Sequence, residues 1–354
     1  MRYPIFDGHN DTLLNLYVPE RGQGRSFFER SDIGHIDLPR ALEGGFAGGF
    51  FAMFTPQADP PKKPAADASP EALAAYVEAL QTPVSQERAR ELTLGMMALL
   101  LRIASQSAGR VRVVHDVASL RQCIADGVMA AIMHIEGVEA IDPGLDALYV
   151  FYEAGLRSLG PVWSRPNAFG HGVPFAFPGT PDTGPGLTEA GKALVRACND
   201  LGVLIDLSHL NEKGFWDVAD RSAHPLIATH SGAHALCASP RNLTDRQLDA
   251  IRASGGVVGV NFHVGFLRED GRQEADTPLQ RIADHAVYMA DRMGIEHVAL
   301  GSDFDGATMP AELGDVAGLP RLMDTLAANG FGPDDLQKIG YTNWIRVLEA
   351  TWHG

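Results

Sequence analysis

Cysteine is scarce in this 354-residue chain, with three in all and no CxxC spacing among them. Cys123, Cys198 and Cys237 therefore read as reduced, buried thiols, and no disulfide framework is expected. Long apolar runs are missing too: none approaches the roughly 18 residues that a membrane span needs. The opening stretch MRYPIFDGHND lacks an apolar h-region and a small-residue cleavage site, so no secretory signal is expected and the chain reads as cytoplasmic. Basic charge is also short, with 29 Lys and Arg against 44 Asp and Glu and a formal net charge of −15. Phosphate binding needs a basic surface, so nucleic acid is not an expected partner, and without a long apolar run neither is a membrane. What is present, 45% hydrophobic and 21% charged residues, is the composition of a globular enzyme.

Apolar runs alternate with helical segments along the chain, the pattern of a parallel α/β fold. Strands are expected at residues 5–7, 46–54, 129–135, 157–162, 203–207, 226–229, 257–261 and 298–301. Several are continuous apolar runs, as strands buried on both faces should be. Helices are expected over residues 72–104 in two pieces, 117–125, 188–201, 244–253 and 278–293. Eight βα units suggest a somewhat distorted (β/α)8 barrel of the TIM type, forming one domain over residues 1–354. The Pro- and Ala-rich stretch 55–70 reads as an exposed excursion, and the Gly/Pro-rich stretch 165–186 as a long functional loop.

Active sites of such barrels lie at the C-terminal ends of the strands. The first strand ends in His9 and Asp11, the third in Glu136, the fifth in His209, the sixth in His230 and the eighth in Asp303. Any one of these is an ordinary cap or packing residue. Five strand ends out of eight carrying them would crowd polar groups into one mouth, where burial without partners is costly. A metal centre resolves that cost. His nitrogen and carboxylate oxygen are the usual ligands of catalytic zinc. His9 and Asp11 fall on one side of an extended strand and can share an ion. His209 and His230 can bind a second, and Glu136 can bridge the two. Two zinc ions would lower the pKa of bound water from about 16 toward 7 and polarise a carbonyl. Asp303 remains as a free carboxylate able to move a proton to a leaving amine.

The motifs DGHND, HIEG, IDLSH, THSGAHALCASPRN and GSDFDG together resemble the membrane (renal) dipeptidase family of zinc peptidases, a branch of the amidohydrolase-type barrels. The resemblance runs from Asp7 to the C-terminal YTNWIRVLEATW. Its first motif is discriminating, because most amidohydrolase barrels carry His-x-His there and this chain has His9-Asn10-Asp11. The resemblance implies that His9 and Asp11 hold the first zinc, that Glu136 bridges, and that His209 and His230 hold the second. It implies Asp303 as the general acid/base and Arg241 of SPRN as the group that binds the substrate's carboxylate. A small dipeptide, with a D-residue accepted at its C-terminal position, is the implied substrate. A hydroxide shared by the two zincs would attack the peptide carbonyl. A homodimer is implied by resemblance alone.

One position departs. In LGPVWSRPN, Trp163 stands where the family carries a His that touches the carbonyl oxygen. An indole donates one N–H and carries no charge. Trp163 reads as a wall of the substrate pocket, with His171 and Arg165 as candidates for the missing His. Hydrolysis of another small amide or ester, such as a lactam or an N-acyl amino acid, stays open for that reason. A metal-binding protein without catalysis is the third reading, and retention of Asp303 speaks against it. His134 faces the barrel interior, either beside the ligands or as filling. His234 and His263 are placed near the pocket, and His35, His115, His224, His285, His297 and His353 are read as structural or surface groups. Asp305 is read as a partner of the ligands or a loop cap.

Overall fold

A computed structural model describes residues 3–62, 64 and 68–353. Part of the expected excursion, residues 63 and 65–67, lies outside the described residues. Among the described residues nine strands are found: β1 Ile5–Asn10, β2 Phe46–Phe54, β3 Val111–Val113, β4 Met129–Glu136, β5 Leu156–Gly160, β6 Leu204–Ile205, β7 Ile227–Ser231, β8 Val257–Asn261 and β9 Val298–Gly301. All pair in parallel, in the orders β1-β2-β4-β5-β6 and β7-β8-β9. Two single bridges join the arcs, Asp206 to Ile227 on one side and Asn10 to Phe304 on the other. The result is a distorted (β/α)8 barrel. The short β3 pairs only with the start of β4, and the sequence pattern did not announce it.

Strand β4 shows why the barrel has a polar mouth and an apolar floor. Side chains alternate across a strand. Met129, Ala131, Met133 and Ile135 pack outward against the helices, while Ala130 and Ile132 join the inner cluster of Phe6, Phe50, Leu204, Ile227, Val257 and Ala299. The same inward register carries His134 and then Glu136 upward to the mouth. Below, Trp344 of the helix Asn343–Thr351 closes the floor, its ring 5.2 Å from Phe50 and its indole N–H donating to the Leu300 carbonyl at 3.1 Å.

The helices expected from the pattern are present at Pro70–Leu80, Gln86–Gln106, Val117–Asp126, Glu189–Leu201, Asp245–Ala253 and Gln280–Met293. Side-chain caps start several of them, as at Ser85, Asp116 and Thr188. The short helices Leu38–Gly44, Asp146–Glu153 and Glu212–Ala219 lacked a long enough apolar period to be seen in the sequence, and Leu319–Ala328 was not read from the pattern either. The stretch 165–186 has no helix or strand, yet it is tied to the rim: Val173 N–H donates to the His209 carbonyl at 2.8 Å, and Asn211 N–H to that of His171 at 3.2 Å. No helix among the described residues is long and apolar enough to cross a membrane.

Candidate metal centre

The site begins with how β1 is held against β9. Asp7 is buried, and its carboxylate accepts from the Ser302 N–H at 2.6 Å and the Ser302 hydroxyl at 2.8 Å. That staple lets Asp303 N–H donate to the His9 carbonyl at 3.0 Å and Asp11 N–H to that of Phe304 at 2.8 Å. Burial raises Asp7 to about 7 in spite of the Ser302 donors. A register shift follows Asp7, and the strand stops at Asn10. Asp11 therefore sits just past the strand, at φ −98° and ψ 24°, instead of continuing the extended run the sequence suggested. The ligand atoms meet nonetheless, with His9 Nε2 3.6 Å from Asp11 Oδ2.

Glu136 stands between two pairs of ligands. Its Oε2 lies 3.7 Å from His9 Nε2, while its Oε1 lies 2.9 Å from His209 Nε2 and 3.5 Å from His230 Nε2. His9, Asp11 and Glu136 thus form one group that could hold an ion, and Glu136, His209 and His230 a second. All five are buried. Both ring nitrogens of His9 and Oδ1 of Asp11 have no hydrogen-bond partner, a costly condition that a cation would relieve.

The second pair is oriented from behind. Thr229 Oγ1 donates its one proton to Asp206 Oδ2 at 2.6 Å, so the contact of 2.8 Å from His230 Nδ1 to Thr229 Oγ1 must be donated by the ring. That tautomer leaves the Nε2 lone pair of His230 facing Glu136. His209 Nδ1 lies 2.7 Å from Ser164 Oγ, which holds that ring from behind. Burial holds both imidazoles well below their ordinary pKa, in the neutral form a metal needs. Asp206 also accepts from the backbone N–H groups of Ser208 and Thr229, at 2.9 and 2.8 Å. Close approach here depends on glycine: a Cβ on Gly259 or Gly301 would stand 2.0 or 1.9 Å from the Thr229 carbonyl oxygen. His134 lies beneath, with Nδ1 3.0 Å from Ser158 Oγ and Nε2 3.6 Å from Asp206 Oδ2.

Asp303 completes the mouth, grouped with His9 and His230. It has a positive φ of 61°, and its Oδ2 accepts from Asn261 Nδ2 at 3.0 Å. Burial, with Asp11 alongside, raises it to about 6 against the pull of His9 and Asn261. Burial also raises Glu136, to about 8. For His9 burial acts the other way, but Glu136, Asp11 and Asp303 outweigh it and lift the ring to about 10. Asp305 holds this loop to the N-terminal segments by accepting from Thr12 Oγ1 at 2.9 Å, Arg25 Nη2 at 3.3 Å and His35 N–H at 2.6 Å. His35, read from sequence as a structural or surface group, answers by accepting the Asp305 N–H at 2.8 Å.

Arg241 is buried beside the second pair. Its Nη2 donates to the His230 carbonyl at 3.1 Å, its Nε has no partner, and its Cζ lies 5.4 Å from the Phe266 ring centroid. Burial lowers it to about 10, which leaves it cationic at neutral pH. Trp163 is half-buried, with its ring 5.8 Å from that of His209 and 4.9 Å from that of Phe54. Among the described residues, neither Arg165 nor His171 makes a hydrogen bond or ion pair with a candidate ligand. His234 bonds the Gly179 carbonyl at 2.8 Å, in the rim loop. The sequence reading missed Asp7, Asp206 and Asn261. Each carried the same weak signal, a polar residue at the end of an apolar run.

Residues 1–353 match the family model described as membrane dipeptidase, Peptidase family M19. A metallo peptidase from Rhodobacter sphaeroides, solved with a phosphinate mimic of the dipeptide L-Ala-D-Ala, superposes with a TM-score of 0.90 at 48% identity, over 99% of this chain and 100% of that one. The dipeptidase AC, a metallo peptidase of the same family, superposes with a TM-score of 0.90 at 47% identity, over 100% of both chains. An uncharacterized protein in the pqqA 5′ region of Klebsiella pneumoniae is 55% identical over 256 residues, 72% of this chain and 94% of its own.

Proposed function

The chain belongs to the membrane dipeptidase family, and on that premise we propose that it hydrolyses the peptide bond of dipeptides at a centre of two divalent ions, zinc by its ligand types. The observation that carries this reading is Glu136, whose two oxygens face two separate ligand pairs. The ions fit the residues: His9 and Asp11 would hold one, His209 and His230 the other, and Glu136 both. Nitrogen and oxygen donors with unpartnered buried atoms suit zinc, and they also accept other divalent transition metals. Bound there, the ions supply a water of lowered pKa and a polarised substrate carbonyl.

The chain's own groups do the rest. Asp303, raised toward neutrality and aimed by Asn261, takes a proton from the incoming water and passes it to the leaving amide nitrogen. Arg241, buried and cationic, receives the C-terminal carboxylate of the substrate. Trp163 walls the pocket beside His209. The L-Ala-D-Ala mimic bound by the Rhodobacter sphaeroides relative supports a dipeptide with a D-residue in second place. The test is a stereochemically varied dipeptide library assayed on the zinc-loaded protein. Hydrolysis of L-L or L-D members is expected. Failure on all of them, with turnover of a lactam or an N-acyl amino acid, would replace the dipeptidase reading with the other hydrolase.

A further inference from the structure

The run LGPVWSRPN carries a cation, Arg165, that the chemistry above does not use. Arg165 is fully buried. Its Nε donates to Glu139 Oε1 at 2.8 Å and its Nη2 to the Thr55 carbonyl at 2.7 Å, while its Cζ lies 5.1 Å from the Trp163 ring centroid and 5.2 Å from that of Phe54. A buried ion pair is poor evidence for stability, since apolar residues of similar size often do as well. What this pair achieves is position. It ties together the ends of three neighbouring strands: Thr55 after β2, Glu139 after β4 and Trp163 after β5.

The wall so held continues across the mouth. Trp163 lies 4.9 Å from Phe54 and 5.2 Å from Phe175, centroid to centroid. Phe175 stacks on Phe266 at 6.2 Å and 6°, and Phe266 faces the Arg241 guanidinium. An aromatic file therefore runs past His209, with a cation at one end and the Phe54–Trp163 pair at the other. Phe54, Trp163 and Phe175 are each only half-buried, whereas most strand side chains beside them are wholly buried, so they present open apolar surface. A dipeptide with its carboxylate on Arg241 and its scissile carbonyl beside Glu136 and His209 directs its first residue away from Arg241, toward that surface.

Resting on the dipeptidase reading, we propose that Phe54, Trp163 and Phe175 form the subsite for the side chain of the dipeptide's N-terminal residue, that it selects apolar and aromatic side chains, and that Arg165 with Glu139 is the positioning pair that sets it. An apolar side chain gains by leaving water against these rings, and a ring gains further from edge or offset contact.

The test is a series of dipeptides L-Xaa-D-Ala, with Xaa as Gly, Ala, Leu, Phe or Lys, assayed for kcat and KM on the metal-loaded protein. The wild type should favour Phe over Gly by ~10-fold or more in kcat/KM, the scale on which apolar pockets discriminate, and chiefly through KM. Trp163→Ala should collapse the Phe-to-Gly ratio toward unity while bound metal, measured directly, stays at the wild-type count. Arg165→Met should do the same, with Arg165→Lys recovering part of the ratio. If Arg165→Met fails to fold, the Trp163→Ala and Trp163→Phe pair decides, because Phe should keep most of the preference. A wild type that cleaves dipeptides without regard to Xaa, or a Trp163→Ala protein with the wild-type ordering, would overturn this inference and leave the dipeptidase reading standing. A metal-loaded wild type that cleaves no dipeptide would overturn both.

Discussion

The two halves of the mouth, on either side of Glu136, are built differently. His209 lies four residues past β6, at a positive φ of 68°, and His230 lies on β7; each is held through Nδ1, by Ser164 and by Thr229 backed by Asp206. They are neutral and aimed before any ion arrives. His9 and Asp11 come from the end of one strand and its first following residue, and neither ring nitrogen of His9 has a hydrogen-bond partner. There the nearby carboxylates favour a proton on His9, in the place a cation would take. One half is organised by hydrogen bonds in advance. The other is organised by charge and depends on what neutralises it.

The largest effect should come from the group the halves share. Glu136→Gln removes the charge that faces both pairs, so both ions should be lost, with hydrolysis, in a metal-content assay. Retention of one full ion would show that the halves are independent, contrary to the geometry. Next in size is Asp303→Asn, expected to lower kcat by ~10²–10⁴ while both ions remain. Unchanged turnover would sink its role in moving the proton.

Smaller changes address the asymmetry itself. Thr229→Val and Ser164→Ala remove the partners behind the second pair, and ion affinity there should fall by ~10–100-fold with little change at the first. Equal loss at both sites in competition with a chelator would break the comparison. The remaining effect is in pH. The folded, metal-free protein holds His9 at about 10 against an ordinary 6.5. A pKa raised on folding contributes stability below 6.5 that is lost as pH rises through about 10. Asp303 and Glu136, also raised, act in the same direction. The Tm of the stripped protein should therefore drop with rising pH, by roughly 10 degrees or more, and loading with zinc should flatten that limb. A flat profile before loading would contradict the charge-based account of the first half.

The period-two pattern of β4 already carried Glu136 to the end of an inward-facing column, and continuous apolar runs marked the other buried strands. The supporting groups were less legible. Asp7, Asp206 and Asn261 look in sequence like ordinary polar residues at strand ends, because their partners Ser302, Thr229 and Asp303 are distant in the chain. The shorter helices escaped for a different reason: a few turns hold too few apolar positions to establish a period, and packing on the barrel supplies the rest of their stability.

The sequence alone determined the chemical inventory: imidazoles and carboxylates at five strand ends, an acidic composition that disfavours phosphate, and a His and an Asp two residues apart at the first of those ends. Local periodicity was enough for that, since side-chain direction along a strand is a property of neighbouring residues. Only the tertiary structure decided which oxygen of Glu136 faces which pair, which tautomer His230 adopts, and that Arg165 ends beneath Trp163 instead of among the ligands. Those outcomes depend on barrel closure, which brings atoms hundreds of residues apart to within hydrogen-bond distance and removes the water that would otherwise screen them.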